Sequence, residues 1–342
     1  MLFRITYTFF VGATLTCLAT TFPASSLAEI VWIGVQKSSP SEHTAQRFGS
    51  AGSPDLVIGN DFNSTGRYHA FAAVGNTLYS TQSTGTSVAR WNATTGAQLG
   101  NLTLDAPLST HFSGGFTSRI GTSTLGELLF APSGFSTEQR GIPKYSTDGS
   151  HLRTYTHPFV QHVHGTPTAN ADAMFVASRY NPGAGFVEGV LMFLEDGAFV
   201  DVFNVATSVL DVHVFGGSLY VLEAGSSMHV YDLNGTSLPT FSHSITLPTS
   251  ASAVLLDEFV VANGALYIAD DGNNRAVKVA LDGTLLATYD VETRGTSNFI
   301  GGIAVVPEPS TWLLAVCGAG AISVFARRRR SPRRPATKGV TH

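Results

Sequence analysis

Histidine and acidic side chains precede several apolar-aromatic residue pairs, and they are the residues in this chain best suited to chemistry. Each lies near the start of a predicted strand that leads into such a pair. Neutral imidazole nitrogens and carboxylate oxygens are ligands for Zn²⁺ and other divalent ions, so a metal site is one prediction. The candidate ligands are His69, His162, His164, His213 and Asp257, with Asp211 beside His213.

The spacing of these candidates favours a different interpretation. Counted to the pair that follows, the offset is nine residues for His69 and Asp257, ten for His164 and six for His213. Ligands of one metal in a repeat protein should lie at equal offsets, whereas unequal offsets are typical of polar groups that line a wet surface. We therefore predict no cofactor, with a divalent metal as the alternative, and the balance favours a non-enzymatic role. Phosphate-binding loops, nucleotide fingerprints and nucleophile elbows do not occur in the sequence.

The elements that position these residues form an internal repeat of about 45 residues. Its marker is the apolar-aromatic pair, which recurs at spacings of 51, 45, 45 and 47 residues. A second apolar run, a turn such as Asp-Gly or Asn-Gly, and a third run follow each pair, which predicts hairpins with three or four strands per unit. The pairs are Leu78-Tyr79, Leu129-Phe130, Met174-Phe175, Leu219-Tyr220 and Leu266-Tyr267.

A repeat of this length made of short strands is typical of a β-propeller blade. Beyond the five units, Phe299–Val306 has the pattern of a single strand, while Ile30–Val35 and Leu56–Ile58 have the pattern of an incomplete unit. Joining the two ends would close the ring and remove exposed sheet edges. We predict an all-β fold with a six-bladed propeller, with five or seven blades as alternatives. First strands of blades line the central channel, where the histidines and acids would converge.

The fifth unit contains the stretch Asp270-Asp271-Gly272-Asn273-Asn274-Arg275. This stretch resembles an NHL-type propeller repeat, and the resemblance implies the propeller fold. Some NHL-type lyases hold a metal with channel histidines. The resemblance therefore also implies an alternative function, a metal-dependent lyase or hydrolase acting in the channel.

The N-terminus has the pattern of a secretory signal peptide. A positive start and an apolar stretch from Ile5 lead to Ser26-Leu27-Ala28, with small residues at the two positions that matter for cleavage. We predict cleavage after Ala28 and an N-terminal signal helix within residues 1–28.

The C-terminus combines three features in a fixed order. Pro307-Glu308-Pro309 precedes the apolar run Trp312–Ala326, which is predicted as a transmembrane helix, and a basic cluster follows. Such a cluster would hold its end of the helix in the cytoplasm. The segment resembles the PEP-CTERM sorting signal, which implies an exosortase as the processing partner. The cluster consists of Arg327, Arg328, Arg329 and Arg330.

The predicted organisation is a signal peptide over 1–28, a propeller over 29–306, a sorting and anchor segment over 307–330 and a basic disordered tail over 331–342. Residues 29–306 carry 12 Lys and Arg against 23 Asp and Glu. Nucleic-acid binding requires clustered cations, so this acidic body excludes that class of partner. We predict an exported propeller at the cell surface or in the extracellular matrix that binds a polysaccharide or protein, with the membrane contacted through the C-terminal segment.

Overall fold

The structure is a computed structural model, and it describes most of the chain between Glu29 and Pro307. The predicted signal peptide, the sorting motif beyond Pro307, the predicted membrane helix, the arginine cluster and the basic tail lie outside the described residues. No helix in the described part has the length and apolar content that crossing a membrane requires. The described ranges are 29–37, 43–49, 51–59, 70–81, 88–108, 111, 118–132, 141–157, 160, 163, 165–180, 187–204, 208–224, 227–248, 258–292 and 298–307.

Twenty-four strands run through the described residues and form six four-stranded sheets, which are the blades of a propeller. Blade 1 contains β1 (Glu29–Lys37), β2 (His43–Phe48) and β3 (Leu56–Gly59). Blade 2 contains β4 (Phe71–Val74), β5 (Thr77–Thr81), β6 (Val88–Asn92) and β7 (Gln98–Leu102). Blade 3 contains β8 (Ser118–Thr122), β9 (Leu128–Pro132), β10 (Ile142–Tyr145) and β11 (His151–Tyr155).

Blades 4 to 6 repeat the same order of strands. Blade 4 contains β12 (Thr168–Ala169), β13 (Ala173–Tyr180), β14 (Val187–Leu194) and β15 (Phe199–Asn204). Blade 5 contains β16 (Val209–Phe215), β17 (Ser218–Glu223), β18 (Ser227–Asn234) and β19 (Ser237–Thr246). Blade 6 contains β20 (Phe259–Ala262), β21 (Ala265–Asp270), β22 (Arg275–Ala280) and β23 (Leu285–Asp290).

Blade 1 is completed by the last strand of the described chain, β24 (Asn298–Pro307), which pairs with β1. Its sheet therefore has the order β24-β1-β2-β3, with one strand from the C-terminal side and three from the N-terminal side. Ile30 and Trp32 of β1 share a buried cluster with Ala304 and Val306 of β24. The six-bladed architecture predicted from the repeat is confirmed, and so is its closure by joining the two ends.

A β-bulge interrupts the third strand of blades 2 to 6 at one repeated position. It always precedes a buried residue that pairs with the first member of the apolar pair, as Trp91 pairs with Leu78. The bulges lie at Arg90/Trp91, Lys144/Tyr145, Met192/Phe193, Val230/Tyr231 and Lys278/Val279. A bulge increases the local twist of a sheet. It also marks equivalent positions in different blades.

This register shifts the predicted pair of blade 3 by one residue. Tyr145, after the bulge, pairs with Leu128 and not with Leu129. The equivalent of Leu78-Tyr79 is therefore Leu128-Leu129, where the sequence pattern suggested Leu129-Phe130. The cause is a longer turn, because three residues separate the paired Ser123 and Glu127, whereas two separate Val74 and Thr77 in blade 2.

The NHL-like stretch forms the connection between β21 and β22, which includes a short 3-10 helix at Asp271–Asn273. The buried carboxylate of Asp270 accepts hydrogen bonds from Asn273 Nδ2 and from Arg275 Nε, both at 2.9 Å. Asn274 has a positive φ of 51°, a conformation that asparagine tolerates better than most residues. The polar side chains of this stretch thus bond to one another and hold the turn.

Glu29, the first residue of β1, joins blade 1 to blade 6. Its carboxylate accepts hydrogen bonds from the hydroxyl of Tyr267 and the ammonium group of Lys278, and from the Tyr289 hydroxyl at 3.3 Å. The three donors lie on β21, β22 and β23. Burial alone would raise the pKa of Glu29, but the hydrogen bonds from Lys278 and Tyr267 and the charge of Lys278 outweigh it and leave this pKa below its ordinary value.

We predict that Glu29→Gln lowers the free energy of unfolding by about 1–3 kcal/mol at pH 7, because Lys278 loses a charged acceptor in a half-buried site. The folded pKa of Glu29 is depressed, so its contribution is present above the unfolded pKa and is lost as the pH falls through the folded pKa. Urea unfolding of wild type and Glu29→Gln at pH 7 and at pH 3 measures the contribution of Glu29 to the free energy of unfolding. The difference between wild type and variant should shrink at pH 3, while Asp232→Asn at an exposed position of β18 should change little at either pH. An equal difference at both pH values would contradict the ion pair.

Candidate functional site

The innermost strands of the six blades surround a cavity on the propeller axis. The cavity opens to solvent. Each blade supplies lining residues from its first strand or from the residues just before it, and blade 1 supplies them from β24. The lining consists of Phe71, Ala72, Ala73, Ile120, Gly121, Thr122, Thr166, Pro167, Thr168, His213, Glu258, Phe259, Val260, Ile303, Ala304 and Val305.

Strand pairing sorts the inner residues of blades 2 to 6 into two levels. The first level contains the residues that pair with the second member of each apolar pair, and His213, paired with Tyr220, is its titratable member. The others at this level are Ala72, Gly121, Thr168 and Val260. The second level lies two residues earlier in each chain segment. We call its four polar residues the polar belt, and they are Arg119, Thr166, Asp211 and Glu258.

Asp211 of the polar belt connects three blades. Its side chain is 0% exposed. Oδ1 accepts hydrogen bonds from the backbone N–H of Thr166 at 2.7 Å and of Val212 at 2.9 Å. Oδ2 accepts one from the backbone N–H of Phe259 in the next blade at 3.2 Å. The inner strand of a blade is a sheet edge with unpaired N–H groups, and this carboxylate supplies the acceptors they lack.

Glu258 repeats this arrangement one blade further on. Its Oε2 accepts a hydrogen bond from the backbone N–H of Ile303 in β24 at 2.9 Å. Asp211 and Glu258 each lie eight residues before the leucine of their blade's pair. The repeat therefore places a carboxylate at the same level in two consecutive blades, and each one binds the inner strand of its successor.

Burial determines the protonation of Asp211. Removal from water raises its pKa to about 7, although the positive charge of Arg119 and the three backbone hydrogen bonds act in the opposite direction. Arg119 belongs to blade 3 and Asp211 to blade 5, so the polar belt is electrostatically coupled across the channel. A carboxyl group with this pKa titrates near neutral pH.

His213 is neutral at neutral pH, because burial lowers its pKa to about 4. Its ring packs against Phe259, with centroids 6.1 Å apart. Its Nδ1 atom is buried and makes no hydrogen bond to any part of the chain that the structure describes. The same holds for Oγ1 of Thr166, although the backbone N–H of Thr166 is bonded to Asp211.

Two glycines allow the inner strands to approach closely at this point. A Cβ atom on Gly121 would lie 1.7 Å from the carbonyl oxygen of Pro167 in the neighbouring blade. A Cβ atom on Gly165 would lie 2.6 Å from Cβ of Ala177 and 3.2 Å from Oδ1 of Asp211. Only glycine fits at such distances, so these residues position the polar belt as much as the strands do.

The structure places one of the five predicted metal ligands in the channel. His213 lines the cavity, while His69, His162, His164 and Asp257 lie outside the described residues. Across the described ranges, no group of three or more histidine, cysteine or acidic side chains is arranged to hold a metal ion. The metal site therefore stays a prediction.

Sequence reasoning missed three members of the polar belt, Arg119, Thr166 and Glu258. Glu258 could have been found, because it has the same offset from its pair as Asp211. Arg119 was hidden by the longer turn of blade 3, which moves the repeat by one residue. Thr166 carries no signal of its own, since threonine is frequent in this chain.

Together, the closed ring and its channel define a six-bladed β-propeller, and comparisons with solved structures agree. The chain is similar to a structure of a nidogen/laminin complex, with a TM-score of 0.54 and 11% identity over 81% of this chain and 98% of that chain. It is also similar to a protein of unknown function from Bacteroides caccae, with a TM-score of 0.57 and 11% identity over 82% of this chain and 100% of that chain. Likeness at such identity shows the fold alone.

The sorting segment carries the more specific similarity. Residues 305–330 match the family model of the PEP-CTERM protein-sorting motif. The predicted sorting signal is thereby confirmed, and it implies that the chain is exported, processed by an exosortase and anchored at the cell surface. No curated protein sequence matches the chain.

We predict that Asp211→Asn removes one component of the pH dependence of stability. The native pKa of about 7 exceeds the ordinary value of 3.8, so the native state binds more protons than the unfolded state between these values. Stability from this group therefore falls as the pH rises from about 4 to about 7, by about 1.4 kcal/mol for each unit of pKa difference.

Urea unfolding of wild type and Asp211→Asn at pH 5 and at pH 8 tests this prediction. The wild type should lose more stability between the two values than the variant does, while the variant should be less stable at pH 5 because an amide cannot accept all three N–H groups. Asp201→Asn on the exposed face of β15 serves as the control and should follow the wild type. Parallel curves for wild type and Asp211→Asn would show that Asp211 does not titrate in this range.

Proposed function

We propose that this protein is a surface-displayed binding module whose propeller holds an extracellular polysaccharide or protein. The observation that supports the proposal most is the position of the sorting motif. The motif begins at residue 305, near the end of β24. In sequence, the anchor segment therefore directly follows the strand that completes the ring. A propeller delivered in this way is kept at the surface, where partners are polymers and other proteins.

The inner surface of the ring supports a binding role over a catalytic one. The carboxylate oxygens of Asp211 accept backbone N–H groups, which makes them structural. Glu258 likewise bonds to the backbone of β24. His213 is the one histidine among the described cavity-lining residues, and its neutral ring has no acidic or hydroxyl partner there to activate it. The metal-dependent lyase or hydrolase stays an alternative prediction, since most of its candidate ligands lie outside the described residues.

Co-sedimentation of the processed protein with extracellular polysaccharide from its host tests this function. We expect the protein to sediment with the polysaccharide, or to form a complex with an isolated surface protein, without changing the size of either. Elemental analysis of the same preparation for bound metal tests the alternative, a metal-dependent enzyme. Failure to bind either class of partner, or one equivalent of metal that is lost in His213→Ala together with cleavage of the polymer, would overturn the proposal in favour of the enzyme.

A further inference from the structure

The hairpin that joins β18 to β19 is longer than the equivalent hairpins of blades 2, 3, 4 and 6. After the bulge, Tyr231 of β18 pairs with Phe241 of β19, and the two residues are ten apart in sequence. The equivalent pairs are six residues apart in blades 3, 4 and 6 and seven apart in blade 2. An insertion in one unit of a repeat protein often lies on its binding surface. The outer part of blade 5 is therefore a place to look for a ligand site.

Phe241 is an exposed aromatic residue at the base of this hairpin, with 58% of its surface accessible. It meets Tyr231 and His229 edge-on, with ring centroids 5.7 and 5.5 Å apart and interplanar angles of 78° and 79°. Neither of these rings lies flat on Phe241, so no ring of a described residue is stacked on it. An aromatic ring in water is unfavourable, and a partner that covers it gains free energy.

Blade 4 shows how a flat ring fits at this position. Phe199 is the equivalent of Phe241, because it pairs with Phe193 after the bulge of β14. The ring of His157 stacks on Phe199, with centroids 3.7 Å apart and an interplanar angle of 16°. His157 belongs to the connection that follows β11, whereas the connection that follows β15, residues 205–208, contains no aromatic residue or histidine. The chain thus supplies a stacking ring for Phe199 from this connection but not for Phe241.

His229 places a hydrogen-bonding nitrogen beside Phe241. Its Nδ1 atom lies 2.9 Å from Oε1 of Glu223, whose side chain is 2% exposed, whereas the side chain of His229 is 21% exposed. The carboxylate beside Nδ1 favours a proton on that atom, which leaves Nε2 as the acceptor of the neutral ring. Ser244 lies directly opposite His229 in the strand register, and it is exposed. An imidazole nitrogen and a hydroxyl group are therefore available next to the aromatic ring.

The rest of β19 is rich in hydroxyl groups and contains no Lys, Arg, Asp or Glu. Ser244 and Thr246 lie on the same face as Phe241, because their partners on β18 alternate along that strand,. The strand rises by roughly 15 Å from Phe241 to Thr246, which is longer than one sugar ring. Such a face suits a neutral polymer with many hydroxyl groups. The C–H face of a sugar ring is attracted to the negative face of an aromatic ring.

We infer that a segment of a neutral polysaccharide lies along this face of blade 5, with one sugar ring stacked on Phe241 and hydroxyl groups bonded to Nε2 of His229 and Oγ of Ser244. The inference rests on the proposed function, because it names the surface that holds the polysaccharide and the chemical class of the polymer. It places the contact on the outside of the ring, where a long polymer reaches it without entering the channel.

Co-sedimentation of the processed protein with extracellular polysaccharide from its host, separated by anion exchange into a neutral and an acidic fraction, tests the inference. We expect binding to the neutral fraction. Phe241→Ala removes the ring and should weaken this binding about tenfold, and His229→Phe keeps a ring but removes Nε2 and should weaken it about fivefold. Leu286→Ala is the matched control, because Leu286 of β23 is 53% exposed and lies outside the proposed contact. It should bind as the wild type does.

Phe241→Trp provides a second measurement, because this variant keeps a flat ring and should keep the affinity. Trp32 and Trp91 are buried, so quenching of fluorescence by acrylamide reports mainly on the indole that the substitution introduces. We expect the neutral polysaccharide to protect this indole from acrylamide. Unchanged quenching when the polysaccharide is bound would show that the polymer lies elsewhere and would overturn the inference.

The remaining outcomes separate the inference from the proposed function. Wild-type affinity for the polysaccharide in Phe241→Ala, binding to the acidic fraction alone, or binding to a surface protein alone would overturn the inference and leave the proposed function standing. Failure of the wild type to bind any polysaccharide fraction or surface protein would overturn both.

Discussion

The pairing of β24 with β1 is the constraint on which the rest of this molecule depends. A propeller without it would end in a three-stranded blade and an open sheet edge, and exposed edges invite pairing with other chains. The strand also supplies Ile303, whose backbone N–H binds Glu258 and so joins blade 1 to blade 6. Glu29 of β1 is bound by four side chains of blade 6. The closure therefore combines backbone pairing with two carboxylate contacts from adjacent blades.

The polar belt follows from the same geometry. Six inner strands converge on the axis, and each presents an edge whose N–H groups no fifth strand covers. In blades 5 and 6 the repeat solves this with a carboxylate that reaches the next inner strand, and in blades 3 and 4 with glycines that let the strands approach. The carboxylates of Asp211 and Glu258 are therefore bonded to backbone N–H groups around the inner strands.

The fold could be read from the sequence because its signals are local and repeated. Apolar pairs and Asp-Gly or Asn-Gly turns recur with each blade, and the leftover strands at the two ends implied closure. The residues that line the channel were harder to predict, because the level at which a residue lies depends on the register of its strand. One extra residue in the turn before Glu127 shifts the repeat of blade 3 by one position, so Arg119 did not have the same offset as Asp211 and Glu258. His213 and Asp211 are two residues apart in sequence, yet they do different things. His213 lines the cavity, and Asp211 accepts backbone hydrogen bonds from residues of three blades.

Hydrogen exchange of β24 in the processed protein tests the central claim most directly. If β24 is the innermost strand of blade 1, a peptide covering residues 298–307 should exchange as slowly as peptides from β16 and β20, the inner strands of blades 5 and 6. The amide of Ile303 should be among the slowest, because Glu258 accepts its hydrogen bond. Exchange of this peptide at the rate of an exposed loop, while β16 and β20 stay protected, would show that the ring is not closed by this strand and would contradict the account.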